Sequence, residues 1–134
     1  MSTFINDITQ ADHAGQATPA TVESFALGEC PFDATVTEAE IVPSGPITGD
    51  NTNNRTFTLQ NRGQAGAGTT VIATLQTNVA GGSWVANDSI LMVLSGTATN
   101  LQVALGDVLA VNETVAGAGV AHPAFQVTVR GTRR

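Results

Sequence analysis

The chain has 134 residues, 42% of them hydrophobic, which suits one domain with a real core. Aromatics make up 4%, with one Trp and no Tyr, so that core must be built from Val, Leu, Ile and Ala. A net charge of −6, with five Arg, no Lys and no basic stripe, argues against a nucleic-acid binder, whose affinity rests mainly on phosphate neutralisation.

The charge is unevenly placed. Residues 1–54 carry eight acids and no Lys or Arg; residues 55–134 carry three acids and five Arg. An acidic leading third of this kind suits either solubility or a basic partner surface. Cys30 is the single cysteine, so an intrachain disulfide is ruled out. The opening MSTFINDITQADHAG lacks the basic and apolar regions of a signal peptide, and Ile90–Leu94, the longest solidly apolar run, is far short of a membrane span. The expectation is a protein made in a cytoplasm, with no membrane partner.

Residues 1–24 are polar and weakly patterned and read as an acidic N-terminal arm or linker, with Phe4, Ile5 and Ile8 as a short apolar anchor. Residues 25–134 read as a β-sandwich domain. FALGEC (25–30) stops at Pro31, and ATVTEAEIV (34–42) is closed by Pro43. PSGPITGDNTNN (43–54) is dense in turn formers. RTFTLQN (55–61) alternates, with Phe57 and Leu59 on one face. TTVIATLQT (69–77) does the same through Val71, Ala73 and Leu75. VAGGSWVANDS (79–89) is a loop holding Trp84, and SILMVLSG (89–96) is apolar on both faces. LQVAL (101–105), VLAVNETV (108–115) and FQVTVRG (125–131) complete the series. Seven or eight short strands between turn signals, without a convincing helical period, predict an all-β fold: an antiparallel β-sandwich, jelly-roll-like domain or small barrel. One face of an antiparallel sheet normally meets water. The doubly apolar Ile90–Leu94 is therefore expected either to be covered by a loop or arm, or to meet another subunit.

The motifs point away from catalysis. NRGQAGAGTTVIATL (61–75) packs Gly63, Gly66 and Gly68 into six residues, but a phosphate-binding loop needs a lysine and a following helix. Thr69–Ile72 are strand formers, so the glycines are read as the bend between two strands. Glu38 and Glu40 share a strand face and are read as solvated, since the aromatic platforms of a glycosidase are missing. Asp50–Asn54 reads as a turn, lacking the Gly and Glu of a calcium loop. His13 and His122 sit in loop-like stretches without a ligand at metal spacing, and Cys30 reads as a buried, inert thiol. The sequons at Asn54, Asn87 and Asn112 are read as chance matches. The expectation is a non-enzymatic protein without cofactor or metal.

ITGDNTNNRTFTLQNRGQAGAGTTVIATL, SGTATNLQVALGDVLAV and the closing VTVR together resemble tailed-bacteriophage capsid decoration (cement, head-stabilising) proteins over about residues 41–130. NRTxxLxNRGxxGxGT and GDVLxV are the most recognisable parts. The resemblance implies a β-sandwich-like module on the exterior of a phage head, bound to the major capsid protein in many copies. It further implies a homotrimer and an N-terminal arm lying on the capsid or a neighbour. On this reading Phe4, Ile5 and Ile8 anchor the arm, and Arg130, Arg133 and Arg134 face the acidic leader of a neighbouring copy. Two other readings stand beside it. One is a fibre or surface-adhesin module binding a carbohydrate or receptor, with Trp84 as its one aromatic candidate. The other is another virion β protein, from tail or baseplate.

Overall fold

Alternating apolar residues set the two faces of the central strands. In the computed structural model, which describes residues 5–134, they build two antiparallel sheets packed face to face. The strands are β1 (Ile5–His13), β2 (Ser24–Glu29), β3 (Ala34–Pro43), β4 (Asn54–Asn61), β5 (Thr70–Gln76), β6 (Ile90–Leu91), β7 (Val93–Leu94), β8 (Gln102–Val103), β9 (Val108–Ala116) and β10 (Phe125–Arg133). One sheet runs β1-β10-β3-β6, with β8 also pairing β3; the other runs β2-β9-β4-β5-β7. The sandwich expected from the sequence is what the chain forms.

Between the sheets lie Val36, Ala39 and Ile41 of β3, Phe57 and Leu59 of β4, and Ile72, Ala73 and Leu75 of β5. Leu109 and Val111 of β9 and Phe125, Val127 and Val129 of β10 complete the layer. Aliphatic residues dominate, as the scarcity of aromatics requires. Among the described residues most rings gather at one end, where Phe57, Trp84, Phe125 and His122 meet at centroid distances of 5.2–5.8 Å.

The glycine-rich stretch is the bend between β4 and β5, which pair antiparallel across it. Gly63 and Gly66 adopt φ of +68° and +79°, where a Cβ would be strained. Asn61 accepts the Gly63 N–H through its side chain, and the Gly68 N–H donates to the Arg62 carbonyl.

Two features depart from the sequence reading. The leader is extended, but from Ile5 to His13 it is part of the sandwich. It pairs with β10 from Ile5↔Thr132 to His13↔Phe125 as an edge strand, with a bulge between Asp7 and Thr9 and with Ile8 in the core. Its polar composition follows from that edge position, since one face meets water and its hold comes from backbone pairing and a single buried Ile. Thr9 donates its hydroxyl to the Leu27 carbonyl, tying β1 to β2 across the open side of the sandwich.

The second departure is at the opposite edge. The apolar run 90–94 is not one strand. Its first half pairs with β3 (Ile41↔Ile90, Glu40↔Leu91) and its second with β5 (Ala73↔Leu94, Thr74↔Val93). Between them Met92 turns into the core, its N–H on the Ala39 carbonyl. The run is apolar on both sides because it passes from one sheet to the other.

A buried histidine–glutamate cluster and an exposed apolar seam

Two strands place charged residues on their inward faces. On β9 the period that buries Leu109 and Val111 also buries Glu113; on β4 the period that buries Phe57 and Leu59 also buries Arg55. The register sets Phe57 opposite Glu113 and Arg55 opposite Val115, so the two charges lie diagonally adjacent on one face. The Arg55 guanidinium donates to Glu113 Oε1, and both side chains are fully buried. Its remaining donors reach backbone carbonyls: Nε to Val120 at 3.0 Å, Nη1 to Thr21 at 2.7 Å and Nη2 to Pro19 at 2.9 Å. The buried charge is therefore paired and hydrogen-bonded, as its desolvation demands. It also pins residues 19–21 and the β9–β10 loop against the second sheet.

The second oxygen of Glu113 faces two histidines. His13 Nε2 lies 3.5 Å from Oε2 and His122 Nε2 lies 3.6 Å from it. His13 closes β1, stacks on Phe25 at 3.9 Å, and stands 3.3 Å from Glu23 Oε2. His122 lies in the β9–β10 connection, with Nδ1 2.8 Å from the Pro123 carbonyl. Burial pushes the His13 imidazole below its ordinary pKa, partly opposed by Glu113 and Glu23. Burial pushes the Glu113 carboxyl up, but His122 and Arg55 outweigh it and hold it below its ordinary value.

Sequence reasoning set the two histidines apart and left Arg55, Glu113 and Glu23 unmarked. The structure joins all five. One signal was present: Arg55 shares the parity of Phe57 and Leu59, and Glu113 that of Leu109 and Val111, so both fall on faces read as apolar. That His13 and His122 meet depends on β1 pairing with β10, which no local pattern announces.

The residues singled out from the sequence are dispersed. Phe4 lies outside the described residues. Ile5 is exposed, while Ile8 is buried in the core and is not on the surface as an anchor. Trp84 is 1% exposed, packed between Phe57 and Phe125. The three C-terminal arginines are engaged within their own chain. Arg130, on β10, donates to Asp7 on β1 and Glu40 on β3, both at 2.9 Å, with Glu38 at 3.7 Å. Arg133 lies over the Phe32 ring, and Arg134 donates to the carbonyls of Ala34 and Val103. Glu38 and Glu40 thus join a cross-strand ion network. Asp50 accepts the N–H groups of Thr52 and Asn53, an Asx turn that holds its carboxyl below its ordinary pKa. Cys30 is buried, and burial pushes its thiol up to about 11, with Asp107 adding to the effect.

The surface has its own distinctive feature at the seam where 90–94 crosses between sheets. Leu91 and Val93 point outward, 61% and 69% exposed. Among the described residues no loop covers them, so cover by a loop or arm, one of the two expectations for this run, is not what the structure contains.

No protein-family model, curated protein or solved structure matches this chain.

Proposed function

We propose that the protein is a structural virion protein that binds the outer surface of an icosahedral phage head and stabilises the shell by bridging capsomers. The sequence resemblance over residues 41–130 suggests the class. The observation that carries the reading in the structure is the seam, where the segment closing both sheets presents Leu91 and Val93 to solvent. An outward apolar pair on a short, edge-closing segment is suited to contact with another protein surface. The body behind it suits the same role, being two sheets stapled at both open sides, by the 90–94 crossover and by the Thr9–Leu27 bond. Many copies engaging at once need only weak individual contacts. The major capsid protein is the proposed partner, and a homotrimer the proposed assembly.

The glycan-binding reading is less well supported, because its one aromatic candidate, Trp84, lies in the core and presents no face to a sugar. The test is co-sedimentation of the purified protein with undecorated heads, with tails as the comparison. Leu91→Ser with Val93→Ser should weaken head binding at least tenfold while leaving the fold intact. Unchanged head binding in that double variant would remove the seam from the proposal, and sedimentation with tails alone would move the protein to another part of the virion.

A further inference from the structure

The geometry points to a divalent transition-metal site, of the zinc class, formed by His13 Nε2, His122 Nε2 and Glu113 Oε2, with Glu23 completing the set from the solvent side.

The surroundings of His122 fix its tautomer. Its Nδ1 is 2.8 Å from the Pro123 carbonyl oxygen, which only accepts, so Nδ1 carries a proton. In the neutral ring Nε2 is then a bare lone pair, and it faces the Glu113 carboxylate at 3.6 Å. Two acceptors directed at each other in a dry interior need a positive charge between them, either a proton on Nε2, the state in which His122 lowers the Glu113 pKa, or a metal ion. The His13 nitrogen converges on the same oxygen at 3.5 Å. Four buried side-chain polar atoms among the described residues lack a hydrogen-bond partner, and three of them are these same His13 Nε2, His122 Nε2 and Glu113 Oε2. Such atoms are rare in folded proteins and call for an explanation.

At 3.5 Å and 3.6 Å the two histidine contacts to Glu113 are longer than an ordinary N–H···O bond and close to the spacing of two ligands on one ion. An ion with tetrahedral bonds of about 2.0–2.1 Å holds its ligand atoms about 3.3–3.4 Å apart. His13 Nε2 and His122 Nε2 stand 3.5 Å and 3.6 Å from Glu113 Oε2, and Glu23 Oε2 stands 3.3 Å from His13 Nε2. All three buried ligand atoms fall within 4.8 Å of one another. The surroundings also match those of a metal site. The carbonyl bond on His122 Nδ1 fixes the ring, as outer partners of metal-bound histidines do. Arg55 occupies Oε1 of Glu113, leaving Oε2 as the free, single ligand atom, and Gln16 donates to Oε1 of Glu23, leaving its Oε2 toward His13. Two imidazoles among the donors disfavour magnesium and calcium and suit zinc, cobalt or nickel. Access runs along Glu23, whose side chain is 39% exposed.

The ligands come from β1 in one sheet, β9 in the other, the β9–β10 loop and the β1–β2 connection. A bound ion would cross-link both sheets and fasten the edge strand, a structural role that holds whichever surface the protein docks on.

The test uses tagless full-length protein carrying Cys30→Ala, so that neither a tag nor the thiol contributes ligands. Calorimetric titration with zinc should show one ion per chain. Zinc in hundredfold excess over Kd should raise the thermal midpoint by roughly 5–10 °C, reversed by chelator. Cobalt in place of zinc should give the intense visible bands of a tetrahedral ion. His122→Ala should abolish binding; Glu23→Gln, outside the core and safe for folding, should weaken it at least tenfold. The proposal is overturned by a midpoint indifferent to zinc, by binding that survives both substitutions, or by nitrogen NMR showing His122 doubly protonated at neutral pH and unmoved by zinc.

Discussion

At the scale of single residues, the molecule depends on charges placed where the strand period demands hydrophobes. Arg55 and Glu113 are tolerated because every guanidinium nitrogen and one carboxylate oxygen has a hydrogen-bond partner, the other oxygen being turned to the histidines. Removing one charge strands the other. Arg55→Leu should cost about 3–5 kcal/mol in urea unfolding, well beyond an ordinary polar substitution. Cys30 gives a second prediction. With no Lys and no Tyr in the chain, it is the one side chain that titrates in the ordinary range of about 8.5–10.5. Its folded pKa is raised from 9.0 to about 11, so above pH 9 the unfolded chain loses the proton first and folding stability falls. The full stability is present below pH 9, and the loss grows to about 2–3 kcal/mol as pH rises through 11. Cys30→Ala should flatten that slope in denaturation curves measured at pH 8 and pH 11. The buried thiol was legible from the lack of any His or basic residue near Cys30 in the sequence. The cluster was not, because its members sit at opposite ends of the chain and only tertiary pairing joins them.

At the scale of elements, strands with clean alternation were legible, and those held by pairing were not. β3, β4, β5, β9 and β10 lie where period two and the flanking Pro, Gly and Asn residues put them. β1 was read as an arm because INDITQADH buries little, its stability coming from backbone bonds to β10 that leave no trace in composition. Its one core residue sets its cost. Ile8→Ala should destabilise by about 2–4 kcal/mol, read by chemical denaturation. Beside it, Gly131 lies where β10 passes so close to β3 that an added Cβ would meet the Thr35 carbonyl and the Ile8 side chain. Gly131→Ala should therefore destabilise by at least about 1 kcal/mol, with greater hydrogen exchange centred on β10 and the strands it pairs with, β1 and β3. The run 90–94 was legible as doubly apolar, but the sheet switch behind it was not, since a strand passing through two environments and a strand covered on both faces share one pattern. Leu91→Ser and Val93→Ser, at outward positions, should change stability by no more than about 0.5 kcal/mol each. That neutrality is what makes them clean probes of docking.

At the scale of the whole molecule, the lopsided charge has a structural outlet within one chain. Asp7 of the acidic leader meets Arg130 of the C-terminal strand, and Glu38 and Glu40 of β3 flank the same guanidinium from the other side. Arg130 thus meets the leader of its own chain, while Arg133 lies over Phe32 and Arg134 donates to the Ala34 and Val103 carbonyls. Self-association driven by those arginines should therefore be weak: Arg133→Ala with Arg134→Ala should leave the native mass at low salt unchanged. Among the exposed apolar side chains of the described residues, Leu91 and Val93 stand together on the seam, with Val93 the most exposed. The sandwich class was legible in the sequence as a whole, from strand count and turn spacing. The docking face was not, because exposure of an apolar residue is a property of the packed molecule and never of the pattern alone.

The proposed role is a grip on the outside of a phage shell through the Leu91–Val93 seam. The most direct measurement is quantitative co-sedimentation with purified, undecorated heads, comparing the native chain with the Leu91→Ser, Val93→Ser variant. Saturable binding by the native chain, many copies per head, and at least a tenfold loss in the variant are expected. A folded native protein that stays in the supernatant at every concentration, or a variant that binds as well as the native chain, would contradict it.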